Sequence, residues 1–301
     1  MQPNRIFALC LLAVLALAAP AGAFAQNGRP PVFSAECVLL VDPEGHVLFA
    51  KNPEDGHAPA SLVKLMTLYL AYDDLEAGRV HLDDVVSVSH NAATTPRYRM
   101  GLKANTLVSF HTLLEGVAIA SANDAATALA EHLGGDEATF VARMNAKARE
   151  LGLTGTRYAN PHGLPDPNQS TTARDLAELT SRLLRDHPDV RVMLGGQTFV
   201  YNGRVYARHI PLFNDPGGVQ ALKTGFTNAA GYNLAVSAWR GGQQFVMIVL
   251  GARSRALSFL DAKKLLRYGF VEAGIEPPAP EPKPRPAAPR RTFRARRASS
   301  S

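Results

Sequence analysis

The sequence predicts an α/β fold, in which a largely antiparallel sheet is built from both ends of the chain and a helical middle packs beside it. Three observations lead there. Apolar runs rich in Val, Ile and Phe occur near the start and again in the last third, whereas the stretch between them carries helical spacing. The late strands also follow one another through tight turns, which makes their pairing antiparallel.

Taken in order, "CVLLVDPEGHVLFAKN" (37–52) reads as two strands around a Pro-Glu-Gly turn. In "PASLVKLMTLYLAY" (59–72), Leu62, Leu65, Met66, Tyr69 and Leu70 fall on one helical face, and Gly78 stops the helix. "HTLLEGVAIA" is a second helix that breaks at "SAND", and "AATALAEHLGG" resumes as a third. "DEATFVARMNAKARELGL" is a fourth, closed at Gly152. "NPHGLPDPNQS" is a loop, since three Pro and one Gly in eleven residues leave no regular element. "TARDLAELTSRLLRDHP" is a helix ended by Pro188. "TFVYNGRVYARHI" is a hairpin around Asn202-Gly203, and "NLAVSAWRGGQQFVMIVLGA" is another around Gly241-Gly242. "SRALSFLDAKKLLRYGFVEAG" is a closing amphipathic helix.

The two ends read differently. Arg5, the apolar "IFALCLLAVLALAAPAG" and "AFA" before Gln26 form the pattern of a secretory signal peptide over residues 1–25. With Cys10 inside that segment, the exported chain would keep only Cys37, which cannot form an internal bridge. Residues 275–301 are Pro-rich, nearly free of large apolar side chains, and expected to form no packed structure. Over residues 277–301, seven Lys or Arg and one acid match the whole formal charge of +6, so the body between is close to neutral. Such a basic tail suits contact with anionic polymers or lipid head groups. An exported chain without an aromatic-and-basic patch is not expected to bind nucleic acid. This leaves 26–274 as one folded domain.

Three short patterns carry chemistry. Ser61 and Lys64 stand three apart at the start of a helix and so face the same side. A partly desolvated amine loses affinity for its proton and can act as a base toward the hydroxyl. Ser121-Ala122-Asn123 falls at a helix break, where side chains can aim into a cleft. Lys223-Thr224-Gly225 sits where a strand is expected, offering a charge and a hydroxyl to a carboxylate, with Gly225 admitting a substrate backbone alongside. No His/Cys/Asp cluster has metal-ligand spacing and no Gly loop suits a phosphate, so neither metal nor cofactor is expected.

S-x-x-K, S-x-N and K-T-G, in this order and with "SANDAA", "NPHGLP", "TARDLAEL" and "KTGFTNAAGYNLA" around them, resemble the serine D-alanyl-D-alanine carboxypeptidases. These are the low-molecular-mass penicillin-binding proteins, and the resemblance implies a β-lactamase/transpeptidase-like fold. It also implies peptidoglycan stem peptides as substrate, β-lactams as covalent inhibitors, and a periplasmic location. By the same resemblance Ser61 is the nucleophile, Lys64 the general base, Ser121 a proton shuttle and Asn123 a holder of the substrate amide. Lys223, Thr224 and Gly225 bind substrate, and the N–H groups of Ser61 and Phe226 form the oxyanion hole. Arg208, fifteen residues before Lys223, stands where some relatives present a basic residue to the substrate carboxylate. His162 is read as organising its loop through a hydrogen bond. Val63 departs from the Thr common between the Ser and Lys, and the second, β-rich domain and C-terminal anchor of larger relatives are not expected here. A DD-endopeptidase would use the same residues and stays open. A class A β-lactamase also needs a Glu in an E-x-x-L-N loop, and "NPHGLPDPNQS" has no such pattern.

Overall fold

The computed structural model describes residues 31–275; the expected signal segment and nearly all of the basic tail lie outside them. Strands β1 (Cys37–Val41) and β2 (Val47–Lys51) form the expected first hairpin. At its tip, potential ligand atoms of Asp42, Glu44 and His46 come within 4.8 Å of one another. Asp42 is already engaged by the N–H groups of Glu44 and His46 and by the His46 ring.

A 3-10 turn, Ala60–Val63, then runs into α1 (Lys64–Glu76). The helical body continues through β3 (Val85–Ser87), α2 (His90–Thr94), β4 (Leu107–Ser109), α3 (Phe110–Ala118), α4 (Asn123–Gly134) and α5 (Glu137–Glu150). After the Pro-rich loop come α6 (Ala173–Asp186) and α7 (Val190–Gly195). The closing third holds the hairpin β5 (Thr198–Tyr201) and β6 (Arg204–Ala207), then β7 (Val219–Thr227), β8 (Gly231–Arg240), β9 (Gln243–Ala252) and α8 (Arg255–Glu272). The β3–β4 ladder, α2 and α7 are additions to the sequence reading. They span three to six residues, too few for a periodic pattern to show.

The main sheet has the order β2-β1-β9-β8-β7 and is antiparallel throughout, with Val38 opposite Val249, so the two chain ends pair as expected. Side chains alternate between two cores, as the two-residue period of a strand dictates. Cys37, Leu39, Ala235, Ile248 and Leu250 face the helical body. Val38, Leu40, Val236, Met247 and Val249 face the apolar side of α8, formed by Phe259, Ala262, Leu265, Leu266 and Phe270. Both faces of the sheet are therefore covered, which is why β9 is buried along nearly its whole length. β7 is the edge strand, and its 223–227 end lies against the 3-10 turn that carries Ser61.

Candidate active site

Three segments converge on one cleft: the Ala60–Val63 turn with α1, the 119–123 connection between α3 and α4, and the outer end of β7. Their side chains line a cavity of about 510 Å³ that includes Ser61, Ser121, Lys223, Thr224, Gly225 and Arg208.

Ser61 sits in the 3-10 turn rather than in the first turn of α1, and its side chain caps neither helix start. The ordinary reading of a Ser before a helix is therefore excluded. Instead its Oγ lies 3.2 Å from Nζ of Lys64, which is fully buried. Burial lowers the Lys64 amine to about 7, against a smaller upward pull from the Asp124 carboxylate. Nζ also donates to the Asn123 carboxamide oxygen at 2.7 Å and to the backbone carbonyl of His162. A neutral amine has two hydrogens and one lone pair. With Asn123 and His162 each holding one hydrogen, the lone pair is left for the hydroxyl of Ser61.

The second wall is strained. Ser121 has φ +56° and Ala60, before Ser61, φ +48°, a region that non-glycine residues seldom enter and that recurs where surroundings over-determine a position. Ser121 Oγ accepts a hydrogen bond from Lys223 Nζ at 2.8 Å, so its own proton is free to be given elsewhere. Lys223 is buried, and its amine is held well below the ordinary lysine value, first by burial and then by the charges of Lys64 and Arg208. Its second partner is the carbonyl of Thr224, at 3.0 Å.

The Asn123 side chain is engaged within the protein and also lines a hollow beside Ser61. Its Nδ2 donates to the carbonyls of Pro96 (2.9 Å) and Arg97, and its backbone N–H to Tyr98 O at 2.6 Å. Next to it, the buried Asp124 carboxylate accepts from the N–H groups of Met100, Gly101 and Leu102 at 2.9–3.0 Å. The pair thus clamps a loop over the cleft, with Arg97 and Tyr98 both at positive φ and the Tyr98 ring exposed at the mouth.

Gly225 serves the fold in a way the sequence did not suggest. A Cβ there would point at the turn that carries Ser61, 3.1 Å from Ser61 N and 3.2 Å from Pro59 O. Gly163 makes a tighter approach from the other side. At φ +89°, its Cβ would lie 2.0 Å from Ala60 O and 2.9 Å from Ser61 N. The "NPHGLP" loop therefore backs the Ala60–Ser61 peptide and supplies the His162 carbonyl to Lys64. The His162 ring organises the loop as expected, with Nδ1 accepting from Leu164 N at 3.2 Å, and burial plus the nearby Lys64 charge push it down to about 3.

Arg208 reaches the cavity, but its guanidinium is mostly spent on the protein. It donates to the carbonyls of Gly196 (2.7 Å), Ala118 (3.2 Å), Leu222 (2.9 Å) and Leu194. Burial lowers it to about 10. It ties the ends of α3 and α7 to β7, leaving one N–H for a ligand. Thr224 and Phe226 line the same cavity, with the Phe226 ring 4.3 Å from that of Tyr232.

Asn233, unassigned from sequence, is fully buried in β8 opposite Gly225. Its Nδ2 donates to Ala58 O at 2.9 Å and Pro59 O at 3.3 Å, and its Oδ1 accepts from Gly251 N at 2.9 Å. It fixes the approach to Ser61 onto the sheet. The signal was present, as a carboxamide inside the apolar strand "GYNLAV" must find buried partners.

Known proteins similar in sequence and in fold identify the family. The family model described as D-alanyl-D-alanine carboxypeptidase, peptidase family S11, matches residues 25–254. D-alanyl-D-alanine carboxypeptidase DacC of Escherichia coli is 38 % identical over 267 residues, covering 86 % of this chain and 67 % of the relative. Penicillin-binding protein 5 of Haemophilus influenzae superposes with a TM-score of 0.79 at 35 % identity, over 81 % of this chain and 73 % of that one. Penicillin-binding protein D2 of Listeria monocytogenes, solved with cefotaxime bound, superposes with a TM-score of 0.70 at 30 % identity, over 81 % of this chain and all of that one. The chain spans 63 to 67 % of the length of the first curated relatives. By the family match, the identity and the shared architecture, the chain belongs to the D-alanyl-D-alanine carboxypeptidase family and has the fold of the penicillin-binding proteins.

Proposed function

We propose that this protein is a serine D-alanyl-D-alanine carboxypeptidase that trims peptidoglycan stem peptides. The observation that carries the reading is the fully buried Lys64 amine, 3.2 Å from Ser61 Oγ and held by two further acceptors, Asn123 Oδ1 and the His162 carbonyl. Ser61 Oγ attacks the carbonyl carbon of the penultimate D-Ala while Lys64 takes its proton. The tetrahedral oxyanion is met by the N–H groups of Ser61 and Phe226. The C–N bond then breaks as Ser121, backed by Lys223, gives its proton to the departing D-Ala amine and regains one from the Lys64 ammonium, which returns both groups to their starting states. Water attacks the ester, the again neutral Lys64 takes a proton from it, and as the ester C–O bond breaks that proton passes to Ser61 Oγ and the shortened peptide leaves as its acid. Lys223, Thr224 and the spare N–H of Arg208 receive the substrate's terminal carboxylate.

A β-lactam carries a strained acyl carbon and a carboxylate in the same relation and acylates Ser61 in the same way, as the cefotaxime complex of the Listeria relative supports. The test is incubation with a labelled penicillin and, separately, with a D-Ala-D-Ala pentapeptide. A stable adduct that disappears in Ser61→Ala, together with release of free D-Ala, is expected. No adduct on the wild type, or an undiminished one on Ser61→Ala, would sink the assignment. Digestion of crosslinked muropeptides tests the endopeptidase alternative: loss of dimers without loss of terminal D-Ala would replace the carboxypeptidase reading.

The substrate places the reaction outside the cytoplasm, in keeping with the signal-like segment. No helix among the described residues is long and apolar enough to cross a membrane. The basic tail is proposed to hold the enzyme near anionic surfaces. A chain ending at Gly274 should keep activity on soluble peptide and lose retention on anionic vesicles, and unchanged retention would exclude the tail as an anchor.

A further inference from the structure

Ser61 stands at a junction. The cavity already described lies on one side of it, and three cations line that cavity: Lys223, Arg208 and Arg255. A second hollow of about 340 Å³ shares Ser61, Tyr98 and Phe226 with the first but extends the other way, between Gly163–Pro165 and the Phe226–Ala229 end of β7. It continues into a third, of about 270 Å³, which shares Gly163, Leu164, Pro165, Thr227 and Ala229 and ends at Asp166 and Gln169. A groove therefore leaves Ser61 away from the cationic side. Asp166 is the one acid lining it among the described residues. Arg97 lines only the part nearest Ser61, so the far end carries net negative charge.

The two sides match the two halves of a cleaved peptide. The leaving residue bears the terminal carboxylate and belongs with the cations. The acyl half, joined to Ser61, must then run into the groove. Its second residue from the ester lies about 7 Å along the backbone, and a lysine-length side chain adds about 6 Å. Gly163 abuts the Ala60–Ser61 peptide, and Asp166, three residues further on, is within about 11 Å of chain from it. The end of that side chain and the Asp166 carboxylate therefore fall within the same reach.

Resting on the carboxypeptidase reading, we infer that the groove ending at Asp166 is a specificity subsite for the residue preceding D-Ala-D-Ala, and that it selects a side chain ending in a free ammonium. The flanking Pro165 and Pro167 restrict the loop, and Asp166 Oδ1 accepts from Asn168 N at 2.8 Å, so the carboxylate is presented on a rigid turn. A stem whose side-chain amine is already capped in an amide crosslink lacks the charge and is a poorer acyl donor.

The experiment compares kcat/KM for D-Ala release from two peptides, Nα-acetyl-L-Lys-D-Ala-D-Ala with its ε-amine free and the same peptide Nε-acetylated. The wild type should prefer the free amine by roughly fivefold, the scale of one partly exposed ion pair, and lose the preference as salt rises. Asp166→Asn, which can keep the turn's acceptor, should bring the ratio close to one, and Asp166→Lys should invert it. Equal rates in the wild type, or a ratio unchanged in Asp166→Asn, would overturn the subsite while leaving the carboxypeptidase reading intact. No D-Ala release by the wild type from either peptide would overturn that reading and the subsite with it.

Discussion

Nζ of Lys64 lies 2.7 Å from the carboxamide oxygen of Asn123, a residue 59 positions further along the chain. This contact joins the first residues of α1 and α4, where the first motif ends and the second motif ends, and it fixes which way the amine faces.

The pH dependence of acylation follows from it. Burial pushes the Lys64 amine down to about 7, and as the proposed base it must be neutral to take the Ser61 proton. Acylation by penicillin should therefore fall as pH drops through about 7 and level off above it. Asp124 holds the amine up, so Asp124→Asn should move this limb to lower pH. A flat profile between pH 5.5 and 8.5, read by stopped-flow acylation, would remove Lys64 from the role of base.

Gly163→Ala should be more harmful than Gly225→Ala. The first places a methyl 2.0 Å from a carbonyl oxygen at φ +89°, whereas the second meets atoms at 3.1 Å or more. The expected cost for Gly163→Ala is at least about 2 kcal/mol, with loss of acylation because the Ala60–Ser61 peptide must shift. Thermal unfolding together with penicillin labelling reads both effects. Wild-type acylation in Gly163→Ala would show that the loop does not position the nucleophile.

Arg208→Lys should fail to rescue Arg208→Ala. One ammonium cannot span four carbonyls on three segments, so both variants should lose about 2–4 kcal/mol of stability. A role confined to the substrate carboxylate would instead raise KM and leave the melting temperature unchanged.

Asn233→Ala leaves the carbonyls of Ala58 and Pro59 and the N–H of Gly251 without this partner, at a cost of about 1–3 kcal/mol. Acylation should slow as the Ser61 turn loosens from β8. A stable variant with the wild-type acylation rate would show that Gly225 and Gly163 suffice to hold the turn.

Much of this was legible in the chain. Both major hairpins of the closing third fall on the turns the sequence marks, Asn202-Gly203 and Gly241-Gly242, where all four residues have positive φ. The second motif lies at the helix break, between Ala118 and Asn123. Other features were hidden because they are relations between distant segments. Asp124 binds amides 22 to 24 residues away, and Arg208 gathers carbonyls from three segments. Neither partnership leaves a local pattern.

By itself the sequence determined which residues could do the chemistry, because nucleophile, amine and strand motif are local choices of side chain and spacing. The tertiary structure decided their states. Whether Lys64 is a base or a solvated cation depends on burial and on two acceptors from other segments. Whether Gly225 serves a substrate or the Ser61 turn depends on what lies above it. Whether Arg208 is a ligand-binding or a bracing side chain depends on how many carbonyls converge on it. Charge state and close approach are properties of an environment, and that environment exists only once distant parts of the chain have packed together.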